Sequence, residues 1–495
     1  MRLDPLSIPY RIAENSIRVA GAIVVAGVAG SGGSGGTLLQ GALIFVGIAI
    51  LGVAAVAGWE VVYHRRFEYE LTPDTFDIHS GVLSRRDREI PFGRIQNVDI
   101  RQNVFQRLLG IAEVRLETAG GGETEAQLRY VNREEASRLQ EAVSRHKREE
   151  ESGEPARAES VETLFSITPR ELGILGVVSM DLRLVPLILV ALSVFGPTAI
   201  ARLLPDVDQL FLIGPIVGVA TIVGLAILSG VLSILQYYDF TLARRGEEYR
   251  YERGLLQRFS GSIPVEKVQT LSIRENVLAR WFGYASLTIE TAGYAPGQDS
   301  GARSQSAIPI AERDRVLELA RSIEPFDAVE FERPPKRARQ RYAVRYLLVA
   351  LGVLVLAYGV TWLPNVAGPW YLTALLLPVV PVAAHYKWRN RGYYLEEGYV
   401  ITRNGFWNRR ITIVPAYRVQ TVLSSRTLFQ RRRHLASVVV DTAGSSSLVG
   451  DDAIAADIDA DRADQLREAV AERLQVALSQ RSVGVDRPDV AAGVD

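Results

Sequence analysis

The chain has 495 residues, with 56 Lys and Arg balanced by 56 Asp and Glu. That length exceeds one ordinary domain, and zero net charge gives no global field to draw in a nucleic acid. It contains no cysteine, which excludes disulfides, thiolate zinc sites, iron–sulfur clusters and cysteine nucleophiles.

A hydrophobic content of 48% beside 23% charged residues implies apolar stretches alternating with water-exposed ones. Crossing a bilayer takes about 20 mostly apolar helical residues. Segments 17–30, 38–59, 184–201, 211–235, 345–363 and 369–386 approach this and are predicted as six membrane helices. Short links at 31–36, 202–209 and 364–368 make each successive pair a hairpin. Val28-Ala29-Gly30-Ser31 resembles a signal-cleavage site, but Arg11 and Arg18 lie far from the start and the hairpin pattern recurs twice. Arg202 is the one base at the hairpin tips. The opposite ends carry Arg11, Arg18, His64, Arg65, Arg66, Lys336, Arg337, Arg339, Arg341, Lys387, Arg389 and Arg391. By the positive-inside rule both termini and the polar segments are cytoplasmic. Trp59, Trp362, Trp370 and Trp388 fall near the expected edges as an aromatic belt.

The polar segments repeat. Gly81-Val82-Leu83-Ser84-Arg85 leads to Ile90-Pro91, Ile95-Gln96 and Glu117-Thr118-Ala119-Gly120. Gly254-Leu255-Leu256-Gln257-Arg258 leads to Ile263-Pro264, Val268-Gln269 and Glu290-Thr291-Ala292-Gly293. Gly405-Phe406-Trp407-Asn408-Arg409 leads to Val414-Pro415, Val419-Gln420 and Asp441-Thr442-Ala443-Gly444. The intervals between glycine, proline, glutamine and threonine are the same in all three copies. In the third, His434 stands where the others have Gly110 and Gly283. β-Branched and alternating residues at 88–91, 97–101 and 112–118, echoed at 286–291 and 437–442, read as strands. A helix closes each copy. Asn132 and Glu135 resemble a capping box, with Ala136, Leu139 and Val143 at helical spacing, and 313–323 and 462–478 are the later equivalents. Short strands plus one terminal helix suggest a small barrel or sandwich plugged by that helix.

These landmarks resemble the bacterial and archaeal pleckstrin-homology-like (PH-like) domain of the YdbS/YdbT type, and the preceding hairpins resemble that family's membrane-flanked arrangement. The resemblance covers residues 10–150, 165–325 and 340–478. It implies two bent antiparallel sheets with a capping helix, and no defined activity. The expected fold is an α+β membrane protein, with six transmembrane helices in three hairpins and three PH-like domains. Its divisions are hairpin 10–66, PH-like domain 67–150, interfacial helix and hairpin 165–237, PH-like domain 238–325, hairpin 341–388, PH-like domain 389–478, and a disordered tail 479–495. Residues 152–159 and 326–340 read as linkers.

Chemistry is sparse. His64, His79, His146, His385 and His434 show no metal-ligand spacing, and none recurs between copies. Gly120-Gly121-Gly122 lacks the Lys-Ser/Thr of a phosphate loop and reads as a hairpin turn. No serine sits in a nucleophile elbow. No metal, cofactor or catalytic residue is expected. The centres of the six apolar runs lack ionisable residues, which disfavours a proton path. Ala22, Ala26 and Gly30, like Gly214 and Gly218, suit close helix packing.

Arg85, Arg86, Arg258, Arg409 and Arg410 recur at matching positions, where guanidinium forks suit lipid phosphates and ion pairing is the alternative. Lys336, Arg337, Arg339 and Arg341 abut a span and are further lipid candidates. Gly81, Pro91, Gln96, Gly254, Pro264, Gln269, Gly405, Pro415 and Gln420 are structural landmarks, the glutamines bonding backbone across a turn. The functional expectation is a non-enzymatic scaffold in the cell membrane whose PH-like domains bind anionic lipid, a protein partner or one another. A transport or lipid-handling protein gated by those domains is the alternative.

Overall fold

The structure is a computed structural model that describes residues 1–16, 38–118, 126–152, 161–180, 210–291, 305–327, 329–362, 370–395, 398–443 and 453–482. It forms two compact units, residues 1–162 with 243–263, and 163–242 with 264–495.

Each repeat contributes two sets of three strands and a closing helix. The first has β1 (Glu68–Leu71), β2 (Thr75–Ser80) and β3 (Arg86–Pro91), then β4 (Ile95–Asn103), β5 (Ile111–Thr118) and β6 (Ala126–Asn132). Helix α1 (Leu38–Arg66) precedes it, α2 (Val104–Leu108) follows β4, and α3 (Arg133–Ser152) closes it. β7 (Val161–Ser166) then leads into α4 (Pro169–Val178) and α5 (Leu210–Tyr237). The second repeat has β8 (Thr241–Arg245), β9 (Glu248–Arg253), β10 (Gln257–Pro264), β11 (Val268–Asn276), α6 (Val277–Phe282), β12 (Tyr284–Thr291), β13 (Gln305–Glu312) and α7 (Arg313–Ile323). After α8 (Lys336–Val360) and α9 (Leu376–Arg389), the third has β14 (Gly392–Leu395), β15 (Tyr399–Asn404), β16 (Asn408–Pro415), β17 (Val419–Ser425), α10 (Leu428–Arg431), β18 (Leu435–Thr442), β19 (Ala453–Asp459) and α11 (Ala460–Ser482).

Local chemistry fixes the repeat. Gly81, Gly254 and Gly405 have φ of +112°, +103° and +91°, at the turn before the third strand. A Cβ on Gly405 would run into the Asn408 carbonyl. Pro91, Pro264 and Pro415 each precede a single 3-10 turn that swings the chain into the next sheet. Gly110, Gly283 and His434 all adopt positive φ, and each carbonyl accepts the first N–H of the closing helix. His434 thus holds the left-handed position that glycine takes twice, and does so against its own preference.

Each closing helix buries one face: Ala136, Leu139 and Val143 in the first, Val316, Ala320 and Ile323 in the second, and Ala463, Leu466 and Val470 in the third. The expected box at Asn132 takes another form, since its side chain accepts from Glu134 N–H two residues on. Reciprocal boxes occur instead at Asn103–Gln106, Thr168–Glu171 and Thr427–Gln430.

The sheets do not stop at repeat boundaries. In the first unit β4 of repeat one pairs antiparallel with β10 of repeat two, giving the order β6-β5-β4-β10-β9-β8. In the second unit β11 of repeat two pairs with β16 of repeat three, giving β13-β12-β11-β16-β15-β14. The second junction is locked by Glu275, 1% exposed, which accepts from Arg313 Nε at 2.9 Å and Arg409 Nε at 2.7 Å. Burial, then the nearby Arg409 and Arg333, pull the Arg403 guanidinium down to about 10.

The expectation of six membrane helices, and with it a multi-pass chain, is not met. Among the described residues one helix, Lys336–Gly359, is long and apolar enough to cross a membrane. The run 369–386 is split into a 3-10 turn at Trp370–Leu375 and the 14-residue α9 with Pro381 inside, short of the length a crossing needs. The described apolar part of α5 is the shorter Val223–Tyr237. α1 ends on a polar foot where buried Glu60 pairs with Arg11 at 2.8 Å and accepts from Asn15. Hydropathy alone counts apolar residues and misses breaks and polar feet. The PH-like strand-and-helix pattern does fit.

Segments 17–30 and 184–201, the links 31–36, 202–209 and 364–368, the Gly120–Gly122 turn, the cleavage-like 28–31 and linker residues 153–159 lie outside the described residues. α11 runs to Ser482, past the expected start of the tail, and 483–495 also lie outside.

Candidate anion-binding site

The third repeat, the basic end of α8 and the last turn of α9 line an open cavity of about 290 Å³. One helical turn separates Arg341 from Arg345, so both project from one face of α8. Lys387 comes from the last turn of α9, and Arg391 follows its end. The opposite wall is Ser437 and Val439 on β18, Ile454, Ala456 and Asp457 on β19, and Thr427 and Gln430 of α10.

Asp457 is the floor, 2% exposed, with φ +58° where the β18–β19 register slips. It accepts from Arg341, from Arg391 Nη1 at 2.7 Å, from Tyr342 OH at 2.7 Å and from Gln430 Nε2 at 2.8 Å. Gln430 is aimed by its own capping box, its Oε1 accepting from Thr427 while its Nε2 also reaches Ser437 Oγ at 2.8 Å. A buried carboxylate with this many donors is satisfied, and it pins two arginines at the cavity wall.

The remaining charge is uncompensated. Neither Arg345 nor Lys387 has a salt-bridge partner among the described residues. Lys387 Nζ rests over the rings of Tyr342 and Tyr346, 5.4 and 5.2 Å from their centroids. Burial first, then Arg391 and Arg345, push its ammonium down to about 8. Four cations thus face one carboxylate. Such a cavity favours an anion with several acceptor oxygens.

Of the sequence-derived candidates, only Arg341 lines this cavity. Arg337 pairs with Asp459 and donates to the His434 carbonyl. Arg339 is exposed on a neighbouring groove of about 600 Å³ that it shares with Arg389, and Lys336 is exposed at the helix start. Arg85 and Arg86 are exposed at the β2–β3 turn. Arg258 pairs with Glu252 at 2.7 Å and Arg409 with Glu275, while Arg410 lies opposite Arg274 on β16. These arginines do not converge. Of the glutamines, Gln269 makes a long 3.5 Å contact to the Lys267 carbonyl and Gln420 is exposed, while the side chain of Gln96 lies outside the described ones.

Sequence reasoning missed Arg345, Asp457, Tyr342 and Gln430 as site residues, and used Lys387 and Arg391 only as markers of orientation. Their signal was present for α8 and α9, as bases within a turn or two of an apolar run. For Asp457 there was none. Among the described residues no group of His, Asp and Glu could hold a metal ion.

The chain is 26% identical over 434 residues to the UPF0699 transmembrane protein YdbT of Bacillus subtilis (strain 168), covering 82% of this chain and 85% of that protein. No solved structure matches. The profile described as "Bacterial PH domain" matches residues 20–147, 180–326 and 347–474, one match for each copy of the glycine, proline and glutamine landmarks. With most of its length covered by three successive matches to one profile, the chain belongs to the bacterial PH domain family.

Proposed function

We propose that this is a non-enzymatic, membrane-associated protein whose third PH-like repeat binds the phosphate of an anionic lipid headgroup in the Arg341–Arg345–Lys387–Arg391 cavity. The observation that carries the reading is four cations facing one carboxylate, at the basic end of the helix long enough to cross a membrane. Bases on the first turns of such a helix lie at headgroup level, where each contributes about 1 kcal/mol toward an anionic surface. Aromatic residues flank the apolar run of α8. Tyr342 and Tyr346 lie at the basic end, and Tyr358 at the other sits against Trp362 and Trp370, at 6.1 and 5.0 Å. Tyr342 and Tyr358 are about 24 Å apart along the helix, within the thickness of a hydrocarbon layer. A relative that is a transmembrane protein supports the same placement. Membership in a family of PH-like domains, with no convergent nucleophile, base and oxyanion donors in the cavity, supports a binding role.

The test is a titration of the detergent-solubilised full chain with dihexanoyl-phosphatidylglycerol and, separately, dihexanoyl-phosphatidylcholine. The anionic lipid should bind more tightly, weaken with salt, and lose about tenfold or more, ~1.4 kcal/mol, in an Arg345→Gln/Lys387→Gln variant. Equal binding of both lipids, or an unchanged double variant with an unchanged melting temperature, would refute the assignment.

A further inference from the structure

The two junctions between repeats are built to one register. Gln102 lies opposite Arg258 and Asn103 opposite Gln257 in the first, while Glu275 lies opposite Arg409 and Asn276 opposite Asn408 in the second. Aligned on the shared landmarks, these are the same pairings. In each, the fourth strand of one repeat (β4, β11) takes the third strand of the next (β10, β16). β17 is the third member of the first series, and among the described residues it pairs with β18 alone.

The consequence is visible in exposure. On β11, Thr270 and Ser272 are covered, at 3% and 0%. On β17 the equivalent Thr421 is exposed and Leu423 is 46% exposed. An apolar side chain thus stands open where the first two repeats bury Asp99 and Ser272 under a neighbouring strand. An uncovered edge of this kind is a template for strand addition.

The chain's own spare third strand is a poor fit. β3 begins Arg86-Asp87-Arg88-Glu89, all exposed, where β10 has Gly261 and Ser262 and β16 has Ile411, Thr412 and Ile413. Charges on an edge are the usual block to pairing. The shared register would also set Arg85 against Arg426, which stands where the earlier repeats have Gln102 and Glu275. β3 is a closed end and β17 an open one.

We propose that the outer edge of β17 is an unfilled junction that takes the third strand of a bacterial PH repeat from a different protein. That strand carries small or apolar residues before its Ile-Pro or Val-Pro step, and an acid or amide to face Arg426, which among the described residues donates to Asp464 of α11 at 2.6 Å. This surface is distinct from the cavity and stands whether or not lipid binds there.

The test places the photo-crosslinking residue p-benzoyl-phenylalanine at Leu423 of the full chain in native membranes and maps the joined peptide. The expected product lies in the strand before the Ile-Pro or Val-Pro step of a bacterial PH repeat in another protein, and Thr421→Lys, which charges the edge, should diminish it at least several-fold without moving the melting temperature. A product in β3 of a second copy, in lipid, or in a protein without such a repeat overturns the proposal. So does a yield no higher than from the same residue at Leu83, 89% exposed in the β2–β3 turn.

Discussion

Asp457 gathers donors that lie far from it in sequence: Gln430 is 27 residues away, Arg391 66 and Arg341 116. No local pattern announces such a residue, and its Ala-Ala-Asp-Ile context drew no assignment from the sequence. The landmark glycines were readable because φ above zero is a property of one residue, and the prolines because they end a strand locally. Removing the Asp457 carboxylate leaves Arg341 and Arg391 facing each other in a buried place. Asp457→Ala should therefore cost about 3–5 kcal/mol, read by thermal or denaturant unfolding.

Lys387 sets a pH dependence. An anion beside it raises its proton affinity from the free-state value of about 8, so binding takes up a proton wherever the free protein has begun to lose one. Affinity for phosphatidylglycerol, whose phosphodiester keeps one charge throughout, should be level below about pH 7 and fall as pH rises through 8 toward 9. Lys387→Arg should flatten that profile in calorimetric titrations at fixed salt. In the absence of lipid the sign of the stability term reverses. Between about pH 8 and the ordinary lysine range the unfolded chain binds more protons, so this group's contribution to stability rises with pH.

Strands and closing helices follow from periodicity and short-range turns, and these were legible: the buried stripe Ala136, Leu139, Val143 is the one helical spacing picks out. What was not legible is how the elements join. Pairing β4 with β10 and β11 with β16 is a choice of strand edges, and edge pairing leaves no mark on the hydrophobic pattern of either strand. Arg258 and Arg409 sit at those junctions, where Arg409 meets a buried glutamate, whereas Arg85 at the matching place in the first repeat is exposed in a turn. Glu275→Ala should leave Arg313 and Arg409 unpaired, cost about 3–5 kcal/mol, and make residues 392–415 an early site of limited proteolysis. Gly405→Ala should destabilise by about 1–3 kcal/mol through the strained turn before β16, measured by the same unfolding curves. The apolar run 369–386 is the opposite lesson. Composition satisfied the span criterion, while residues up to Leu375 are wound as 3-10 helix and the α-helical part that follows has only 14 residues.

Over the whole chain, one repeated unit is used three times but not identically. The first repeat presents a charged, closed edge at β3, and the third presents the open β17 edge and the cavity beneath α8. Threefold repetition was plain from the landmarks. The division of labour was not, because it rests on which edges are covered and on bases from α8 and α9 meeting the third repeat's sheet. The central claim is that a lipid phosphate sits against Lys387. The chain has four lysines, at 147, 267, 336 and 387, so 15N-lysine labelling of the full protein in phosphatidylglycerol bilayers gives a spectrum simple enough to assign, with Lys387→Arg marking one signal. The direct measurement is 15N–31P dipolar dephasing of that signal. Dephasing at Lys387 well beyond that of Lys147 and Lys267, and absent after Lys387→Arg, is the result expected. A Lys387 signal that dephases no more than theirs would contradict the account.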